Sequence, residues 1–163
     1  MPQALTELLR GRGAHVDPFA CIEDISSDVA SKQVPGFPHS IAQLVFHMNF
    51  WMNYELHRIR GEQPTYPEHN AESFLPSPAV KAEEWDCLRR DFASRLSEFV
   101  NLADSMRAEL DRQLDSIHDQ QTPGTVETIL WQMVAHNSYH TGQIAMMRRA
   151  LAVWPPSAGG DTW

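Results

Sequence analysis

The sequence predicts an all-α fold, a four-helix bundle with one long crossover connection. Three observations carry that prediction. Apolar residues recur at three- and four-residue spacing through several long segments, and no stretch shows the strict alternation of a strand. The long periodic segments are free of proline, which collects between them. One connection, residues 61–78, is longer and richer in proline than a tight helix-to-helix turn, so it permits a crossover topology. At 163 residues, with no repeat or composition break, the chain reads as a single domain over 1–163.

The elements follow in order. Ala4, Leu5, Leu8 and Leu9 predict a short first helix, broken by Gly11 and Gly13. Pro18 is compatible with a helix start, and Phe19, Ile22, Ile25 and Val29 then recur at helical spacing. His15 stands where these pieces join, either as a surface or capping residue or as a group projecting towards a site at the bundle end. Val34–His39 is a loop by its two prolines and glycine. Ser40 and Gln43 then match a capping box, which predicts a helix from there to about Arg60, stopped by Gly61 and Pro64.

Ile41, Leu44, Met48, Trp51, Met52 and Glu55 form the inner stripe of that helix, with His47 on its flank. Within 61–78, Tyr66, His69 and Phe74 are the side chains able to cover a site. A third helical pattern runs from about Ala79 to Ile117 through Trp85, Leu88, Phe92, Leu96, Phe99, Ala103, Met106, Leu110 and Leu114. Leu44, Trp51, Phe92, Leu96, Met133 and Ile144 are the expected core. Trp154 and Trp163 lie in a proline-rich tail and are expected to fold back or to meet another subunit.

The last helix, Thr125–Leu151, carries the chemistry. Val126, Ile129, Met133, His136, His140, Ile144, Met147 and Leu151 share one stripe, so two histidines sit one turn apart on an apolar face. A buried neutral imidazole needs a partner at each ring nitrogen. Backbone or water satisfies that need in a core histidine, and a divalent metal satisfies it in a ligand.

Charge and cysteine usage exclude other classes. The net charge of −8 argues against nucleic acid and against an anionic membrane surface. No apolar run has the length of a membrane span, and the N-terminus lacks the apolar stretch of a signal peptide. Cys21 and Cys87 show no CxxC pattern, so a cytoplasmic location is expected.

SIAQLVFHMNFWMNYEL in the second helix and TILWQMVAHNSYHTGQI in the last resemble the DinB-like family of metal-binding bundles. GRGAH, PGFPHS and the tail WPPSAGGDTW resemble one bacterial branch of it. The resemblance implies a four-helix bundle holding one divalent metal through three histidines, here His47, His136 and His140. Three neutral imidazoles leave a metal its Lewis acidity and open coordination positions. Zinc and nickel lead among the metals that suit such ligands, with iron and manganese as further options. Asn137, Tyr139 and Thr141 flank the pair and are candidates for orienting the imidazoles.

The resemblance also supplies an activity. Relatives transfer low-molecular-weight thiols such as bacillithiol or mycothiol, and a related group isomerises maleylpyruvate with a thiol cofactor. It implies a metal-dependent thiol transferase acting on a small-molecule electrophile. A metal-dependent hydrolase and a non-enzymatic metal-binding stress-response protein are the alternatives. No Glu follows either histidine in the manner of HExxH, so a hydrolase lacks an evident base. Arg58, Arg148 and Arg149 either bind a carboxylate of such a thiol or form a solvated face. The tryptophan content and the aromatic tail predict a homodimer.

Overall fold

A computed structural model describes residues 2–115 and 124–159. Among these residues there are seven helices, one 3-10 turn and no strand, so the all-α prediction holds. The helices are α1 (Pro2–Leu9), α2 (Ala20–Glu23), α3 (Ser27–Ala30), α4 (Ile41–Ile59), α5 (Ala82–Ala103), α6 (Arg107–Leu110) and α7 (Val126–Ala150). The 3-10 turn, Asn70–Ser73, lies in the long connection between α4 and α5. Helix α4 packs against α5 and α7, and α1 packs against the same two helices from the other side. These four make the bundle, with α1 and α4 on opposite corners. One hydrophobic cluster fills it from Leu5 to Met147, with Trp85, Phe92, Leu96, Phe99 and Met48 fully buried. No helix among the described residues is long and apolar enough to cross a membrane.

Local chemistry sets the element ends. Ser40 accepts from the Gln43 N–H at 3.2 Å while Gln43 Oε1 accepts from the Ser40 N–H at 3.0 Å, which completes the capping box. The same two side chains hold the far end of the 61–78 connection. Gln43 Nε2 donates to the Leu75 carbonyl at 2.8 Å and the Ser40 hydroxyl to the Pro78 carbonyl at 2.9 Å. Thr125 caps α7 by accepting from the Thr128 N–H at 3.1 Å. Gly11 turns the chain with φ at +72°, where a Cβ would lie 2.7 Å from His15 Nδ1 and from the Val16 carbonyl.

Four expectations are corrected. The pattern over 79–117 is not one helix. It starts at Ala82, ends at Ala103 and resumes only as the single turn α6. Asp104 and Ser105 break it, because short polar side chains offer competing hydrogen bonds; Asp104 accepts from the Thr6 hydroxyl at 2.8 Å instead. Leu110 and Leu114 remain buried, but Met106 in the gap is 83% exposed. The Phe19–Val29 pattern likewise splits into two single turns at Asp24, with Ser26 capping the second.

Trp51 is half-buried rather than core and stands beside the histidines. Arg148 is neither a surface group nor a ligand-binding one. It is 1% exposed and donates to the Cys21 carbonyl and Asp24 Oδ1, both at 2.8 Å, and to the Val153 carbonyl at 2.7 and 3.0 Å. Partial burial pushes the Asp24 carboxyl up, yet hydrogen bonds from Arg148 and the Ser157 N–H hold it below its ordinary value. Trp154 folds back on the bundle under the Arg149 guanidinium, 4.5 Å from its ring centroid. Ile117 and Trp163 fall outside the described residues.

Candidate metal centre

Helices α4 and α7 pack directly on each other, and their contact brings His47 to His136 and His140. One ring nitrogen from each lies within 4.8 Å of the others. His47 and His140 are buried, 6% and 8% exposed, and His136 is half-buried. His47, expected on the flank of its helix, therefore faces inward.

Hydrogen bonds at the far side of each ring fix which nitrogen faces the centre. The Ser73 hydroxyl gives its proton to the Asn70 carbonyl at 2.7 Å, so its oxygen accepts from His47 Nδ1–H at 2.9 Å. The Gln143 amide oxygen accepts from His140 Nδ1–H at 2.7 Å, while its NH2 points to the Tyr139 hydroxyl at 3.4 Å. The Asn137 amide oxygen lies 3.4 Å from His136 Nδ1. The contacts at His47 and His140 thus put the ring proton on Nδ1 and turn the Nε2 lone pair inward, and the longer Asn137 contact favours the same tautomer at His136.

The Nε2 atoms of His47 and His136 are 3.2 Å apart. That spacing suits two imidazole ligands of one divalent ion, and the three ring nitrogens together form a donor set that fits one. Burial, then the neighbouring His140 and His136, push the His47 pKa down to about 3. Burial, then His140, push that of His136 down to about 4, and burial lowers that of His140. The cluster is therefore neutral near pH 7, as ligation requires.

The long connection lies against this cluster. Phe74 stacks on His47 with centroids 4.1 Å apart, and His39 stacks on Phe74 at 4.0 Å. Trp51 meets His47 edge-on at 6.3 Å and packs with Tyr54 and Tyr66. His69, by contrast, is exposed and caps the 3-10 turn.

The residues flanking the pair separate. Asn137 is buried and reaches both His136 and the Met52 sulfur, at 3.5 Å. Tyr139 is 65% exposed and touches His140 only by its ring edge, at 5.0 Å. Thr141 makes no hydrogen bond to either histidine among the described residues. His15 is spent elsewhere: Nδ1–H donates to the Val16 carbonyl and Nε2 accepts from the Ser138 hydroxyl, both at 2.7 Å.

Sequence reasoning missed Ser73, Gln143 and His39. Gln143, three residues after His140 on the same helix, is the one whose spacing gave a signal. Cys21 is buried, its thiol pushed up to about 12 by burial above all, and Cys87 is exposed. Neither joins the cluster.

Two predictions follow from the hydrogen bonding. Ser73→Ala frees His47 to rotate, so metal affinity should drop about 10- to 100-fold by competition titration. In metal-free protein the unfolded rings protonate near 6.5, while the folded rings resist until about 3 to 4. The unfolded state then binds more protons as pH falls, so the stability of the neutral cluster is full above about pH 6.5 and declines below it. Urea titrations should show a loss of at least about 2 kcal/mol between about pH 7 and 4.5. A flat profile over that range contradicts the neutral cluster.

Comparison with family models matches the DinB family over residues 1–160 of the 163-residue chain. A search of curated proteins finds no match. The match spans the bundle and all three clustered histidines, and the helices that bring them together are those of an all-α fold. The chain belongs to the DinB family.

Proposed function

We propose that the protein is a metal-dependent thiol transferase in which His47, His136 and His140 hold one divalent ion, zinc or nickel before iron or manganese. The observation that carries this reading is the donor set: three imidazoles with convergent lone pairs, and no carboxylate or thiolate beside them among the described residues. Three neutral ligands leave coordination positions open, whereas a structural zinc site is closed by four.

When bound, such an ion supplies a Lewis acid that favours the thiolate form of a small thiol at neutral pH. The chain's own residues do the rest. Ser73, Gln143 and Asn137 fix the tautomer of the three rings. Phe74 and Trp51 wall the centre with apolar surface and keep water from His47. In the reaction the thiol gives up its proton to solvent, sulfur bonds to the electrophilic carbon, and the leaving group departs with its bonding pair. A hydrolase needs a base beside the ion, and among the described residues no carboxylate joins the cluster. Free Cys21 and Cys87 accord with a reducing cytoplasm. Exposed Trp131 and Tyr139 on the solvent side of α7 favour a homodimer through that face.

The test pairs zinc- or nickel-loaded protein with a panel of low-molecular-weight thiols and a chloro-dinitrobenzene electrophile, reading the conjugate by mass spectrometry. Conjugate formed with the loaded protein but not with His136→Ala supports a transferase. Equal yields from both variants across the whole panel overturn it.

A further inference from the structure

One face of α4 grips the second half of the long connection at three successive points. The Ser40 hydroxyl donates to the Pro78 carbonyl at 2.9 Å, Gln43 Nε2 to the Leu75 carbonyl at 2.8 Å, and His47 Nδ1–H to the Ser73 hydroxyl at 2.9 Å. Ser40, Gln43 and His47 are three and four residues apart, so positions 78, 75 and 73 follow one helix face in antiparallel register. Ser31 adds a fourth point, accepting from the Val80 N–H at 3.0 Å. Ser40, Gln43 and Ser73 are all buried.

The gripped segment delivers two groups to one histidine. Ser73 fixes the far nitrogen of His47, and Phe74 stacks on the same ring at 4.1 Å. Leu75 follows Phe74 directly, and planar peptide units leave little slack between an anchored carbonyl and its neighbours. Gln43 therefore restrains Ser73 and Phe74 without touching the centre itself. Among the described residues it makes no hydrogen bond to any of the three histidines, and its amide oxygen is taken by the Ser40 N–H.

We propose that Gln43 is a positioning residue for the metal centre, and that docking of the 73–80 segment on α4 and metal binding at His47 are coupled. The anchor at Leu75 holds the orienting groups on the His47 ring, and a ring held in its ligating orientation binds metal more tightly. Coupling of this kind is reciprocal, so the metal holds the segment down by the same factor. The inference rests on the three-histidine centre and not on thiol transfer.

Gln43→Glu separates the anchor from the helix cap. Its carboxylate still accepts from the Ser40 N–H, as glutamate does in a capping box, but it has no N–H for the Leu75 carbonyl and repels it. Cobalt(II), whose visible absorption reports coordination geometry, is titrated into the full chain of wild type, Gln43→Glu and Arg148→Met. Gln43→Glu should bind it about tenfold more weakly, with an altered spectrum. Arg148→Met, destabilised without touching the segment, should keep the wild-type affinity and spectrum. A second measurement needs no variant: zinc should slow hydrogen exchange of the wild-type Phe74 amide, held by the Ala71 carbonyl at 3.1 Å, by about tenfold. The proposal is overturned if Gln43→Glu matches wild type, or if zinc leaves Phe74 exchange unchanged. It is also overturned if Arg148→Met weakens cobalt binding equally, which makes the effect one of global stability. Wild type that takes up no cobalt overturns the three-histidine centre as well, which tells that failure apart from loss of the coupling alone.

Discussion

His136→Ala should lose divalent-metal binding by at least about 100-fold while the bundle stays folded. His136 and His140 share one helix face, and His47 Nε2 stands 3.2 Å from His136 Nε2, so removing the His136 ring leaves two donors and an open gap. Two imidazoles without a third fall well short of the affinity of a three-ligand site. The fold does not depend on the ring, because Phe92, Phe99, Leu96, Met48 and Trp85 provide the buried apolar area. Without metal, the substitution removes a half-buried ring and its 3.2 Å contact with His47, so metal-free stability should change by less than about 1 kcal/mol. Calorimetric titration and circular dichroism of the same sample read the two effects separately. Unfolding of the metal-free variant, or retained affinity, contradicts this division of labour.

Arg148→Met should destabilise the protein by about 3 kcal/mol, lowering the thermal midpoint by about 6–12 °C. The side chain is buried at the end of α7 and satisfies Asp24, the Cys21 carbonyl and the Val153 carbonyl together. Methionine fills much of the volume but returns none of those hydrogen bonds, so the Cys21 and Val153 carbonyls lose these donors and the partly buried Asp24 carboxylate keeps the Ser157 N–H without its cation. Arg148 ties α2, α7 and the tail into one unit, so the loss should appear in global unfolding. Unfolding at the wild-type midpoint means that the cluster adds nothing net.

Much of this was legible in the sequence, and the reasons are local. The Ser40–Gln43 capping box and the Thr125 cap are encoded in neighbouring residues, so the starts of α4 and α7 could be read directly. The histidine pair could be read because four residues of helix return a side chain to the same face. His47 was harder: it lies beside an apolar stripe in its own helix, and only the packing of α4 on α7 turns it inward.

Other features depend on contacts distant in sequence. The break at Asp104 is stabilised by Thr6, 98 residues away, and apolar spacing alone continued across it. Arg148 looked like a surface cation because its partners, Asp24 and the Cys21 carbonyl, come from the far end of the chain. Ser73 reaches His47 from a connection without periodicity, so no pattern announced it, whereas Phe74, expected there as a side chain able to cover a site, stacks on the same ring.

A divalent-metal centre built from three imidazoles leaves a distinct signature in X-ray absorption at the metal edge, measured on protein saturated with zinc or nickel and analysed for metal content. One ion per chain is expected, bound by three imidazole nitrogens at about 2.0–2.2 Å with the remaining shell made of light exchangeable atoms. Metal well below one per chain, or a shell containing sulfur or fewer than three imidazoles, would contradict it.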